Sequence, residues 1–320
     1  NVGFVSLYNF NGTASAYWDD IVIGGNPIPS NIEIDGSGNL VYTDADGVDD
    51  YITIIVDGAN YRLSDTDGNL VAGAGTTQDG NDVLVPIASV TGTIQINTQD
   101  GDDELAVDYS GGNFFDVIAY NGGNQTGIPG DLLTLNGSPF FTNITHNFTN
   151  DNDGSVQVSG NSIITYNGLE PIIDNLNAND RIFNFIGGAE VLTLDTFGGF
   201  ANRIDSSLGE FVLFLIHVNS LTINAGTGDD ILNIEWVLAG FDADLTVNGE
   251  DNIDIIALQT NGTIIGNGAL VTTSESLLIS ADITTTGTIS TTTTSRTLVN
   301  NNATVQSLSL IHISEPTRLC

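Results

Sequence analysis

The chain has 320 residues, with 40 Asp and Glu against 5 basic residues that are all arginine, for a formal net charge of −35. That charge repels phosphate backbones and anionic lipid surfaces, so nucleic acid and charged membranes are excluded as partners, while multivalent cations are the natural counter-ions. A hydrophobic fraction of 40% excludes a disordered acidic tail, and a lone cysteine, Cys320, excludes a disulfide within the chain.

In chain order, Val2–Leu7 and Tyr17–Ile23 read as strands around an Asn11-Gly12 turn. An aromatic followed by Asp-Asp and alternating aliphatics, Tyr17-Trp18-Asp19-Asp20-Ile21-Val22-Ile23, resembles the closing strands of a laminin-G or concanavalin-like jelly roll. The resemblance implies that residues 1–25 are the end of a truncated lectin-like domain, with Trp18 in its core rather than serving as a sugar platform. Residues 26–30, with Pro27 and Pro29, read as a linker.

From Asn31 to residue 282 short alternating strands are separated by Gly, Asn and Asp, as in Asn31–Ile34, Tyr51–Val56, Thr93–Ile96, Asp131–Leu135 and Val191–Leu194. No helical period is sustained, so the fold class is all-β. Phe211–Ile216 is the most apolar run and predicts a strand buried on both faces.

Ile94–Val107 aligns without gaps to Leu221–Ile234, and a weaker copy, Leu245–Leu258, starts 24 residues after Leu221. The shared form is strand, Asn, acidic Gly turn, strand. A unit of this length suits one coil of a β-solenoid of the parallel β-helix kind, each coil burying its apolar face against its neighbours. Tandem antiparallel β-sandwiches fit the same strand spacing and stand as the alternative.

Ile164–Ile172, Asn202–Asp205 and Ser220–Ile231 resemble repeats of very large secreted proteins of planctomycetes, cyanobacteria and similar bacteria. The resemblance implies an exported, non-catalytic adhesive or structural segment at the bacterial cell surface, with an extracellular polysaccharide or a cell-surface component as partner. Residues 283–307, with Thr284-Thr285-Thr286-Gly287-Thr288-Ile289, are similar to the coils of filamentous-haemagglutinin-type β-helices. Residues 308–320 depart from the Thr/Asn-rich character before them, and Leu308–Arg318 looks like the in-frame translation of a sequencing-library adapter. His312, Glu315, Arg318 and Cys320 are therefore set aside as site residues, and the chain is expected to be a fragment of a larger protein.

The chemistry-bearing candidates are the acidic turns. Ala225-Gly226-Thr227-Gly228-Asp229-Asp230-Ile231-Leu232-Asn233 is one residue short of a calcium nonapeptide, in which glycine turns expose carbonyls and Asp supplies a hard oxygen. Gly226, Gly228, Asp229 and Asp230, with Asp102 and Asp103 of the aligned turn, are the candidate metal ligands, and Ca²⁺ is the one cofactor that the sequence suggests. The competing reading has Asp229 and Asp230 closing the turn by accepting hydrogen bonds from backbone amides. Asp44–Asp50 has EF-like spacing at its start but no Glu at the twelfth position.

β-Helices also host polysaccharide-degrading enzymes, and paired carboxylates are what glycoside hydrolysis needs. The chain has no Gly-His-Gly, no Arg-Ile-Lys, no lysine of any kind, no Gly-x-Ser-x-Gly and no P-loop. Setting His312 aside, its histidines are His146 and His217, and the latter borders the most apolar run. A non-enzyme is expected, with a carbohydrate-binding module or a β-helix polysaccharide-degrading enzyme as alternatives.

Overall fold

Short runs of alternating apolar residues form pleated strands with one buried face, and the computed structural model is built of them. It describes residues 30–45, 47–66, 70–125, 127, 130–169, 171–199, 201–215, 219–235, 241–259, 267–300, 303–307 and 309–314. The expected jelly-roll strands of residues 1–25, nearly all of the 26–30 linker, Asp46, His217 and Cys320 lie outside these. The described residues form an all-β structure with no α-helix, in which 26 strands belong to one sheet.

Most of the sheet's strands stack in two ladders, and at the N-terminal end antiparallel pairing adds Ser30–Ile34 to Leu40–Thr43, and Asn60–Asp65, Asp82–Pro86 and Thr77–Asp79 in turn to Tyr51–Asp57. In the first ladder, Leu40–Thr43, Ile94–Asn97, Ile118–Asn121 and Ile164–Asn167 are parallel and in register. Antiparallel pairing then leads through Gly154–Val158 to Phe140–Phe148. Parallel pairing resumes with Asn177–Phe185, Ser220–Asn224, Asp244–Asn248 and the first half of Leu270–Ile279.

The second ladder repeats this plan. Tyr51–Asp57, Glu104–Asp108, Leu132–Asn136, Ile172–Asp174 and Phe211–Phe214 are parallel. An antiparallel meander through Ala201–Ser206 reaches Val191–Phe197, after which Ile231–Ile234, Ile255–Leu258 and the second half of Leu270–Ile279 follow in parallel. Each meander has three strands, an odd number, so the strand direction is restored and the parallel ladder continues. Ile289–Val299 pairs along the whole of Leu270–Ile279 across a bulge between Ser274 and Ser276, and so serves both ladders. Ile311–Ser314 adds at the end with four exposed residues.

Parallel register puts like residues above one another. Leu221, Leu245 and Leu270 form one buried row, and Ile223, Val247 and Thr272 the next. Each fully buried Leu, Ile or Val contributes roughly 1.5–3 kcal/mol relative to exposure, and only stacking on a neighbour delivers it. Toward the C-terminal end the inward positions change from aliphatic to hydroxyl, with Thr272, Ser274, Thr291 and Thr293 buried. In the middle of the core His146, Phe148, Phe183 and Phe185 form a ring stack, with Phe214 tilted against Phe183 at 5.2 Å.

One expectation needs correcting. Phe211–Phe214 buries only Val212 and Phe214, while Phe211 and Leu213 stay partly exposed. The outer face of this strand is covered by side chains of its own meander: Phe211 meets Phe197 edge-on at 6.1 Å, and the Arg203 guanidinium lies 5.7 Å from its ring. Phe197 is itself 44% exposed, so the cover is thin.

Candidate functional site

The three aligned acidic turns share one backbone conformation. Gln99 and Gly101, Gly226 and Gly228, and Glu250 and Asn252 occupy equivalent positions, and all six have positive φ, from 68° to 151°. Glycine is required at Gly226 because a Cβ there would lie 2.1 Å from the carbonyl oxygen of Phe185, at the end of the neighbouring strand. The turns are bonded to one another: Thr227 Oγ1 donates to the Gly187 carbonyl at 3.2 Å, and the Asp251 amide donates to the Gly226 carbonyl at 3.2 Å.

The paired aspartates act in opposite directions. The first of each pair reaches forward to an amide of the next turn. Asp49 accepts from the Asp102 amide at 2.9 Å, Asp102 from the Gly127 amide at 2.7 Å, and Asp229 from the Ile253 amide at 3.1 Å. The second reaches back: Asp103 accepts from the Asp50 amide at 2.6 Å, and Asp230 from the Glu190 amide at 2.9 Å. Asp131 and Asp254 do the same for the amides of Asp103, at 2.8 Å, and Asp230, at 3.0 Å. The amide-bonding geometry is thus observed, but the amides belong to neighbouring segments of the stack rather than to the turn itself.

With Asp50, Glu190 and Glu210, the backward-reaching acids form a buried column. Asp50, Asp103, Asp131, Glu190, Glu210, Asp230 and Asp254 each immediately precede a strand of the second ladder, and all are at most 7% exposed. Asp50 accepts from the Tyr42 hydroxyl and Glu190 from the Ser206 hydroxyl. One carboxyl oxygen of Asp103, Asp131, Glu190, Glu210, Asp230 and Asp254 is buried with no hydrogen-bond partner. Loss of water raises the cost of charge: burial pushes Asp103 and Glu190 up to about 7 and Asp131 and Asp254 up to about 6, and it raises Asp230 as well.

Calcium takes six to eight oxygen ligands, from carboxylates, carbonyls and water. Asp102, Asp103, Asp229 and Asp230 each commit an oxygen to a backbone amide, and the Gly226 carbonyl accepts an amide of the next turn. Among the described residues no three His, Cys, Asp or Glu side chains converge as a metal site. In the EF-like stretch, Asp44 and Asp50 are buried at 2% and 7% exposure.

A second polar cluster has no counterpart in the motifs. His146, Asp174 and Arg181 are fully buried together. Arg181 Nε donates to Asp174 at 2.9 Å and its Nη2 to the other oxygen at 3.2 Å, while His146 Nε2 lies 3.2 Å from the same carboxylate. Arg181 also donates to the Leu176 and Leu215 carbonyls, and its guanidinium lies 5.7 Å from the Phe214 ring. Despite burial, which raises it, the Asp174 carboxyl is held well below the usual carboxylate range by the Arg181 guanidinium and the His146 hydrogen bond. Its signal in the sequence was only a basic residue at an inward position of a strand, in a chain with five arginines. With no exposed surface, this cluster holds the core together and offers a substrate no access.

The other partly exposed cations are also held by acids. Arg62 bridges Asp57, Asp79 and Asp82, and Arg203 bridges Asp195 and Asp205. Among the described residues no helix is long and apolar enough to cross a membrane. Comparison of the chain with protein-family models, with curated proteins and with solved structures finds no match in any of the three.

Proposed function

We propose that the chain is a non-catalytic shaft segment, a β-solenoid, of a large secreted bacterial surface protein. The observation that carries this reading is the two-way aspartate stitching between successive acidic turns, in which every turn is completed by the coils on either side. Such a design extends along one axis and needs no ligand or substrate to close it. The acids that could serve as a hydrolytic pair are buried in the column and bonded to backbone amides, and the described arginines other than Arg296 are enclosed by aspartates. The strong negative charge on such a shaft keeps a long protein soluble.

Small-angle scattering on the full chain tests the architecture. A solenoid advances about 4.8 Å per stacked strand and gives one elongated particle of constant cross-section, whereas two separate globules joined by a flexible segment overturn the reading. Release of reducing ends from pectate, xylan or chitin, abolished by Asp103→Asn, overturns its non-catalytic part. Thermal melts with and without millimolar Ca²⁺ test the calcium reading of the turns, because a ligand that binds the folded state raises the melting temperature. A melt unchanged by Ca²⁺ removes calcium from the proposal and leaves the shaft.

A further inference from the structure

The outward face of the first ladder holds an uncharged groove of about 290 Å³ across the three parallel strands Ile94–Asn97, Ile118–Asn121 and Ile164–Asn167. Strand alternation sends Ile96, Tyr120 and Tyr166 into the core and points their successors outward. This gives a row of amides, Asn97, Asn121 and Asn167, beside a row of Gln95, Ala119 and Thr165. Ala119, the smallest side chain of the six, forms the floor on the central strand. No carboxylate or arginine lines the groove in a chain of net charge −35.

The same residue type behaves differently farther along the ladder. There Asn147, Asn184, Asn224 and Asn248 form an amide ladder: the Nδ2 of Asn184, Asn224 and Asn248 each donates to the preceding Oδ1 at 2.7–2.8 Å, and Asn147 Nδ2 donates to Ser155 Oγ at 3.3 Å. Those amides are already bonded. In the groove, Asn97 donates to the Tyr42 carbonyl at 3.2 Å, and the exposed side chains of Asn121 and Asn167 make no hydrogen bond among the described residues. Asn121 and Asn167 thus face solvent in register on adjacent strands, about 4.8 Å apart, beside Gln95, which donates to Thr93 Oγ1 at 3.1 Å, and Thr165, which donates to the Ile118 carbonyl at 3.4 Å.

We propose that this groove binds a neutral polysaccharide, laid across the strands so that successive sugars meet successive amides. The chemistry selects this class. An anionic polymer is repelled by the whole chain, a cation finds no carboxylate in the groove, and a lining that mixes amides and a hydroxyl with Ala119, Tyr120 and Tyr166 suits the polar and apolar faces of a sugar. A sugar hydroxyl both donates and accepts, as do the Asn and Gln amides and the Thr165 hydroxyl.

The test uses the full chain, with cellohexaose, xylohexaose and mannohexaose as neutral probes and hexagalacturonate as the anionic one. Titration calorimetry and amide NMR are expected to show saturable binding of at least one neutral probe, with shifts centred on Asn97, Asn121 and Asn167 and little dependence on salt. The double variant Asn121→Ala/Asn167→Ala, which removes two hydrogen-bonding side chains at exposed positions, is expected to weaken binding roughly tenfold. Ala119→Glu, which fills the floor with charge, is expected to weaken it at least as much, and circular dichroism confirms that both variants are folded. NMR mapping on the unaltered chain gives a reading that does not depend on either variant. Absence of saturable binding of every neutral probe, shifts that map elsewhere, or stronger binding of hexagalacturonate overturns the proposal.

Discussion

Replacing Asp103 by Asn at alkaline pH is expected to stabilise this protein, against the usual result for a buried, hydrogen-bonded aspartate. The Asp103 carboxyl is 1% exposed, accepts the Asp50 amide with one oxygen and has no partner for the other. Burial raises it to about 7, compared with roughly 3.9 in an unfolded chain. The folded state therefore holds a proton that the unfolded state releases, so this group's contribution is fully present below about pH 4 and is lost as pH rises through about 7. At about 1.4 kcal/mol per pKa unit the loss reaches roughly 4 kcal/mol, a ceiling that Asp131, itself raised to about 6, lowers by sharing the charge.

Asparagine keeps the Oδ1 acceptor and cannot ionise. Asp103→Asn should thus match the parent near pH 4 and exceed it by on the order of 2–4 kcal/mol at pH 8. Urea unfolding followed by far-ultraviolet circular dichroism at both pH values measures this. Asp251→Asn serves as the control, since it removes the same formal charge from an exposed position of the turn at Glu250. The reasoning is refuted if Asp103→Asn is less stable than the parent at pH 8, or gains no more than the control.

Three further outcomes follow from the same structure. Asp174 behaves oppositely to the column, because its carboxyl is held low by Arg181: its contribution is present above about pH 4 and is lost as pH falls below that. Arg181→Met, which strands that carboxylate, should cost about 3–5 kcal/mol at pH 7 by urea unfolding, and a cost under 1 kcal/mol argues against the cluster. Glu250→Gly and Asn252→Gly relieve positive φ in the degenerate turn, and each should raise stability by up to about 1 kcal/mol, whereas a loss argues that those side chains do more than occupy the turn. Gly123→Ala puts a Cβ 1.7 Å from the Gln99 carbonyl oxygen, while Gly58→Ala meets nothing within 4 Å. The first should cost several kcal/mol and the second about 1, and equal costs contradict the close stacking of turns.

The amino-acid sequence by itself determined the all-β class, because alternation of period two appears wherever Gly, Asn and Asp do not interrupt it. It also determined that Ile94–Val107, Leu221–Ile234 and Leu245–Leu258 are one unit, and their turns do share a conformation even where Glu250 and Asn252 replace glycine. Local signals of this kind survive because strand pleat and turn geometry depend on a few neighbouring residues. Tertiary structure alone decided which strand each aspartate serves. The amide that Asp103 bonds lies 53 residues away and the one that Asp230 bonds lies 40 away, since antiparallel strands intervene, Asn60–Asp65 and Asp82–Pro86 in the first case and Ala201–Ser206 in the second. Strand pairing within the first ladder also decided that the Asn121 and Asn167 amides stay open while Asn184, Asn224 and Asn248 each donate to the preceding asparagine. Tertiary structure likewise brought His146, Asp174 and Arg181 together across two ladders. A buried charge is tolerated only when distant segments supply its partners, and no local pattern records where those segments will be.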